Sequence, residues 1–302
     1  MNSNLNGILA ATMTPYVNNT VNIEELERIN EYILSNGING IYCCGSTAEN
    51  VVLTVQERKS IAESSKKATE GRAILVVNVS SMVEAELREL LDHAKEIQAD
   101  AVSVVAPSYF DFDEPALKEY FKWVADLCDE MPLILYNIPS NVKNNISYKL
   151  LQKLCNYGSI AGIKDSSMDY MNVLNYRVYT PDSFWVFTGN DAQIVPTIWA
   201  GGNGAVAGTA NIIPATIAGM YGKCKNGDFS EAMEIQKSVL KLRDILRTYP
   251  PMAAHKEAMR LLGFNMGEAR IPLRGLNPEE RKRLKEQLLE WENETSLRVI
   301  SK

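Results

Sequence analysis

Two segments of this chain place residues able to do covalent chemistry at the ends of short apolar runs. In SIAGIKDS (159 to 166) Lys164 closes a run that carries no earlier charge, and in PLILYNIPS (132 to 140) Tyr136 closes another. A neutral lysine amine attacks carbonyl carbon, and a phenol beside it can pass protons. If the two runs are neighbouring parallel strands, about 4.8 Å apart, an inward amine and phenol meet at or near hydrogen-bonding distance. A simpler reading pairs Lys164 with Asp165 at an ordinary strand end. The chemical reading needs Asp165, the next residue along the strand, to face the other way. It also needs a buried amine: lowering a lysine pKa from about 10.4 to about 7 takes roughly 4 to 5 kcal/mol, which burial can supply and a solvent-facing salt bridge would oppose.

GSTAEN (45 to 50) adds the hydroxyls of Ser46 and Thr47 and nearby backbone N–H groups. Such a cluster can hold a carboxylate without a cation, although an ordinary turn has the same composition. The chain has two histidines, His93 and His255, each inside a helical pattern. A histidine-rich metal site cannot be built from two, and both are expected on helix surfaces, so acid–base work falls to Tyr, Lys, Asp, Glu or groups of the substrate.

Position depends on the elements. Eight β-rich runs begin at residues 7, 40, 73, 100, 132, 159, 184 and 202 and alternate with amphipathic stretches, which predicts a parallel sheet closed as a (β/α)8 barrel. Helix starts are marked by Asn22 ahead of Glu25, Thr54 with Glu57, Ser81 with Glu84, and Asp113 ahead of Pro115. After about Tyr221 three helical stretches follow without a strand, giving a barrel over residues 1–224 and a C-terminal three-helix extension over 225–302 that packs on it. A doubly wound sheet would carry a glycine-rich turn after its first strand, and MTPYVNNTVN has no glycine. GGNGAVAGTAN contains a predicted strand instead of opening a helix, so it is a poor dinucleotide motif.

Composition narrows the function classes. With 31 basic and 37 acidic residues and a net charge of −6, no basic run stands ready to neutralise phosphates, and nucleic acid is not an expected partner. No 18-residue apolar run or signal-like N-terminus appears, so a cytoplasmic protein without a membrane partner is expected. The five cysteines show no C-x-x-C pair and are expected as buried small hydrophobes.

GSTAEN, APSYF, YNIPS, GIKDSS, FTGND and GGNGAVAGTAN, in this order and spacing, resemble the pyruvate-dependent class I aldolase family of dihydrodipicolinate synthase and N-acetylneuraminate lyase. The likeness covers the whole barrel. It implies that Lys164 forms a Schiff base with the C2 carbonyl of pyruvate or a 2-oxo acid, with no cofactor or metal. It further implies that Tyr136 relays protons, that Ser46 and Thr47 bind the substrate carboxylate, with Thr47 also among the catalytic set, and that Val206 lends a backbone carbonyl. Tyr109, in APSYF, would reach into a neighbouring subunit's site within a homotetramer built as a dimer of dimers.

Departures bear on the substrate. Dihydrodipicolinate synthases carry an arginine two residues after the proline of their Tyr-Asn-x-Pro motif, and here Asn141 stands there; a neutral amide does not replace a bidentate guanidinium. Neuraminate lyases typically follow the lysine with glutamine, where this chain has Asp165. GIKDSS with YNIPSNVKNNIS looks more like the 2-keto-3-deoxygluconate aldolase branch, which implies Gly189 and Asp191 beside substrate hydroxyls; a helix N-cap is the alternative for Asp191. Ala48 occupies a common glycine position, where a left-handed backbone would cost roughly 1 kcal/mol, and Glu49 reads as a loop anchor. The other readings are dihydrodipicolinate synthase, N-acetylneuraminate lyase, and a catalytically silent relative that binds a small metabolite.

Overall fold

The computed structural model describes residues 5–295 and 297–299. Eight parallel strands close into a barrel: β1 (Gly7–Ala11), β2 (Gly40–Cys43), β3 (Ile74–Asn78), β4 (Ala101–Val105), β5 (Leu133–Asn137), β6 (Ile160–Asp165), β7 (Trp185–Thr188) and β8 (Gly204–Ala207). Each strand pairs with its sequence neighbours, and β8 pairs with β1. All eight expected runs form strands, because each is short, rich in β-branched or aromatic residues and buried on both faces, as a parallel sheet under helices requires. Inward residues including Leu9, Tyr42, Val76, Ile134, Phe187 and Val206 fill the lumen as a separate apolar cluster.

The helices begin largely where their caps stand. Asn22 accepts from the Glu25 N–H, Thr54 and Glu57 form a reciprocal capping box, and Asp113 accepts from the Ala116 N–H with proline just inside the helix. Ser81 departs from the expectation. The helix Glu84–Glu96 is entered from Val83, and Ser81 instead accepts from the Val83 N–H and donates to Glu86. An unanticipated hairpin pairs Tyr16–Val17 with Thr20–Val21; its turn residues Asn18 and Asn19 both have positive φ, the two-residue geometry that asparagine tolerates. All five cysteines are buried and free. No helix among the described residues is long and apolar enough to cross a membrane.

The chain continues through the helix Pro214–Asn226 into the helices Phe229–Arg247, Ala253–Leu261 and Pro278–Thr295. They share one apolar core with β1, β8 and the helix Ile23–Ser35, and the Trp291 indole donates to the Ser238 carbonyl at 2.8 Å. A buried ion pair fastens this segment to the barrel mouth. Lys256 Nζ lies 2.7 Å from Glu49 Oε1 with both side chains nearly inaccessible, and the amine also sits 4.1 Å from the centre of the Tyr16 ring. Arg270 adds an ion pair to Glu57, the partner of Thr54 in the capping box of the helix Val55–Thr69. Removing one partner of a buried pair strands the other charge, so Lys256→Met is expected to lower stability by about 3–5 kcal/mol, and Glu49→Gln added to it should restore most of that loss. Urea unfolding of the two variants checks this.

Candidate active site

Neighbouring strand ends bring the two chemical side chains together. In the β5–β6 ladder Tyr136 is the direct partner of Lys164, and Lys164 is the partner of Phe187 on β7. The inward phase of all three strands therefore aims the lysine, the tyrosine and the phenylalanine at the lumen. Lys164 is 4% exposed. Its Nζ lies 3.9 Å from the centre of the Tyr136 ring and 4.1 Å from that of Tyr42, and the two rings stand nearly perpendicular, 6.2 Å apart. Tyr42 is held in place by its hydroxyl, which donates to Ser103 Oγ at 2.9 Å and accepts from Asn78 Nδ2 at 3.1 Å.

Burial holds the Lys164 amine below the ordinary lysine pKa, against a smaller pull upward from Tyr136 and Asp191. For Tyr136 burial pushes upward, but the neighbouring lysine charge and hydrogen bonds with Ser166, Ser46 and Lys164 outweigh it, and the phenol lies below its ordinary value. A weakly basic amine beside a readily ionised phenol is a pair between which a proton moves at small cost.

Asp165 turns away from the amine, as the chemical reading requires. Its carboxylate accepts from Asn137 Nδ2 at 2.7 Å, from Ser167 Oγ at 2.6 Å and from the Tyr176 hydroxyl at 3.2 Å, a buried network behind β6. The charge after Lys164 therefore anchors the strand end and does not neutralise the amine.

Ser46 and Thr47 lie in the 3-10 turn Ser46–Ala48 that follows β2, and both line a cavity of about 460 Å3 at the C-terminal mouth of the barrel, together with Tyr136, Lys164, Gly189, Asp191 and Val206. The left-handed residue in this turn is Glu49 (φ 62°), not Ala48, so alanine is unstrained there; Thr14 Oγ1 donates to the Ala48 carbonyl and holds the turn. Glu49 is the loop anchor through Lys256. Asp191 is not the N-cap of its own 3-10 turn, which is capped by Asn190. Its carboxylate instead accepts from the Gly208 and Thr209 N–H groups at 3.1 and 3.0 Å, joining the loops after β7 and β8. Tyr109 does not line this cavity within a single chain: it is 78% exposed, with φ 77° and its ring edge-on to Phe110.

Neither histidine occupies the surface position expected of it. His93 is buried against Glu63, 3.0 Å from its carboxylate, because its helix packs that face on the neighbouring helix Val55–Thr69. His255 lines the cavity, and burial pushes its pKa down to about 4, which keeps the imidazole neutral. Arg243, Arg247 and Ser166 also line the cavity. The sequence signal for Tyr42 was present, since alternation in GIYCCG puts it on the inner face. The arginines and His255 come from helices whose docking on the barrel leaves no local sequence mark.

A closed eight-stranded barrel with a buried lysine near the C-terminal end of its sixth strand against a tyrosine near the end of its fifth has the architecture of a class I, lysine-dependent aldolase. The sequence profile of the dihydrodipicolinate synthetase family matches residues 4–290. A 4-hydroxy-tetrahydrodipicolinate synthase of Methanosphaera stadtmanae is 30% identical over 293 residues, covering 95% of this chain and 98% of that protein. Another, of Clostridium perfringens, is 31% identical over 267 residues, covering 88% and 91%. The crystal structure of dihydrodipicolinate synthase from Aquifex aeolicus is similar with a TM-score of 0.89 at 30% identity, covering 95% of this chain and 98% of that one. The chain belongs to the dihydrodipicolinate synthetase family, whose members are pyruvate-dependent lyases or aldolases.

One position tests how tightly the site is built. A Cβ on Gly189 would fall 2.0 Å from Ser166 Oγ and 2.9 Å from Lys164 Cε, so a methyl there displaces the serine hydroxyl and crowds the lysine stem. Gly189→Ala is expected to slow borohydride-trapped labelling by pyruvate on the order of 10- to 100-fold, the cost of a misplacement near 1 Å, with a cooperative thermal transition retained. Labelling at the wild-type rate would contradict this.

Proposed function

We propose that Lys164 is the imine-forming nucleophile of a pyruvate-dependent aldolase acting on 2-keto-3-deoxy sugar acids of the 2-keto-3-deoxygluconate type. The observation that carries the chemistry is the desolvated Lys164 amine packed on Tyr136. The amine attacks C2 of the 2-oxo acid, a proton passes through Tyr136 to the departing oxygen, and water leaves. The protonated imine then accepts the electron pair of the C3–C4 bond as the C4 hydroxyl gives its proton to Tyr136, which releases an aldehyde and leaves an enamine. Protonation at C3 and hydrolysis return pyruvate and the free amine. No cofactor enters these steps.

Ser46 and Thr47 bind the substrate carboxylate, Val206 lends a carbonyl to the pyruvyl part, and Gly189 and Asp191 bound the space for the substrate's hydroxyls. Tyr109, with its exposed ring and left-handed backbone, reaches the site of a second copy in a homotetramer, and the enzyme works in the cytoplasm.

The choice of sugar acid rests on Asn141, which lines the cavity and stands at the motif position where dihydrodipicolinate synthases carry an arginine. A second reading, condensation of pyruvate with aspartate semialdehyde, is favoured by the names of the relatives at 30 and 31% identity. Pyruvate release from 2-keto-3-deoxygluconate and neuraminate, measured beside condensation of pyruvate with aspartate semialdehyde, separates the readings. Turnover of the sugar acid with kcat/KM well above the other two is expected, and efficient condensation with the semialdehyde would select the second. In either reaction Tyr136→Phe should lose about 10²-fold or more in kcat, the usual worth of a positioned proton-transfer group, and Lys164→Ala should gain no mass from pyruvate and borohydride.

A further inference from the structure

The strand β2 ends in two adjacent thiols. Cys43 is its last residue and Cys44 follows, both fully buried and both free. Along a regular strand successive side chains point to opposite faces, which would turn Cys44 into the lumen with Tyr42. Instead the backbone of Cys44 is left-handed, with φ 57°, a conformation that residues other than glycine seldom adopt. Both side chains then join the same apolar cluster outside the lumen, where the two thiols hydrogen-bond to each other. Backbone strain kept at a residue that glycine could replace points to a use for its sulfur.

Arg58, on the helix Val55–Thr69, bears on the pair. Its Nη1 and Nη2 donate to the carbonyls of Ser80 and Asn78 at 2.8 and 2.7 Å, while Nε is buried without a partner among the described residues. The Cys44 thiol donates to the Arg58 carbonyl at 3.4 Å. The hydrogen bond from Cys43, helped by the charge of Arg58, holds the Cys44 thiol below its ordinary pKa in spite of burial, and the same bond raises Cys43. Cys44 is therefore the thiol that ionises first, beside a second thiol that keeps its proton. The other three cysteines lie far from one another in sequence, and burial raises each, Cys128 to about 12.

We propose that Cys43 and Cys44 form a peroxide-sensitive modification site, at which closure to a disulfide displaces the turn holding Ser46 and Thr47. A cavity of about 380 Å3 lined by Arg58, Ser46 and Ser80 brings a small neutral oxidant to the guanidinium. The Cys44 thiolate attacks one oxygen of hydrogen peroxide: the S–O bond forms, the O–O bond breaks, and the departing hydroxide takes the proton that the thiol gave up. The Cys43 sulfur then attacks the Cys44 sulfenic acid, and its proton leaves with the displaced hydroxide as a second water. Two thiols lose two electrons in all, and one peroxide becomes two waters. Adjacent Cα atoms are about 3.8 Å apart, inside the roughly 4.4 to 6.8 Å usual for a disulfide, so the ring is strained and a dithiol reductant reopens it. Drawing the sulfurs to about 2.05 Å turns the backbone at Cys44. Gly45 must follow: its carbonyl accepts from the Ala48 N–H at 3.0 Å, and a Cβ on it would fall 2.6 Å from Tyr42 Cε1, so it lies against the ring that packs on Lys164. The consequence for substrate rests on the aldolase reading, and the modification itself does not.

The test treats the reduced, full-length protein with a small excess of hydrogen peroxide, quenches with catalase and denatures in iodoacetamide. Peptide mass spectrometry is expected to find residues 43 and 44 unalkylated and lighter by two hydrogens, with Cys128, Cys155 and Cys224 alkylated, and dithiothreitol should reverse the change. Cys43→Ala should stop at a Cys44 sulfenic acid that dimedone traps. Hydrogen exchange at the amides of residues 45–50 should quicken on oxidation and return on reduction, which reads the turn without any substrate. Pyruvate labelling trapped with cyanoborohydride, a reagent that spares disulfides, should slow on the order of 10- to 100-fold in the oxidised protein and stay insensitive to peroxide in Cys44→Ala. Alkylation of both residues after peroxide, oxidation spread evenly over all five cysteines, or a disulfide that leaves exchange at 45–50 unchanged would each overturn the proposal. If the reduced protein takes up no pyruvate, the aldolase reading fails, and mass and exchange still decide the site. Oxidation and its reversal are read on the wild-type chain, so a variant that folds poorly leaves that decision intact.

Discussion

A single desolvated amine governs the rest of the molecule. Lys164 sits inside the mouth of the barrel with aromatic faces at 3.9 and 4.1 Å, and burial outweighs the pull of Asp191 on its charge. Taking that amine out of water disfavours its charge, so in the native state it holds its proton less tightly than an ordinary lysine. Between the lowered native pKa and the ordinary lysine value the unfolded chain then binds more protons than the folded one, so stability given up at lower pH is regained as pH rises through that window. The fold tolerates this because the strands that carry the amine are held from many directions.

Those restraints are layered. Asp165, adjacent in sequence but opposite in facing, is locked into the network of Asn137, Ser167 and Tyr176 and so fixes the backbone from which Lys164 projects. Gly189 leaves the space that the lysine stem occupies, and Asp191 ties the next two loops together. On the far side of the ring the turn holding Ser46 and Thr47 is anchored through Glu49 to Lys256 of the C-terminal helices. The appended helices are therefore part of the site: they brace one rim through Glu49 and supply Arg243, Arg247 and His255 to the cavity wall.

What could be read in the sequence follows from the range of the forces involved. Strand and helix periodicity is local, and all eight strands and the lysine–tyrosine neighbourhood followed from it, because a closed barrel in sequence order leaves little freedom over which strand ends meet. Asn22, Thr54 and Asp113 could be identified as caps since a cap acts over three residues, whereas Ser81 failed because the helix it precedes starts two residues later. The fate of His93 and His255 depended on which helix face docks where, a property of the assembled core and not of either helix. The left-handed backbone considered for Ala48 falls instead on Glu49, the residue that also carries the buried ion pair to Lys256. The arginines of the helix Phe229–Arg247 carry no local sequence mark, and only the packing of that helix over the barrel mouth brings them to the cavity wall.

The most direct measurement is the titration of the Lys164 side chain itself, followed by NMR of the Cε and Nζ resonances in lysine-labelled protein and assigned by their loss in Lys164→Met. Burial between two phenol rings predicts a midpoint clearly below the ordinary lysine value of about 10.4. A midpoint at or above that value would contradict a nucleophilic amine at this position, whatever the substrate.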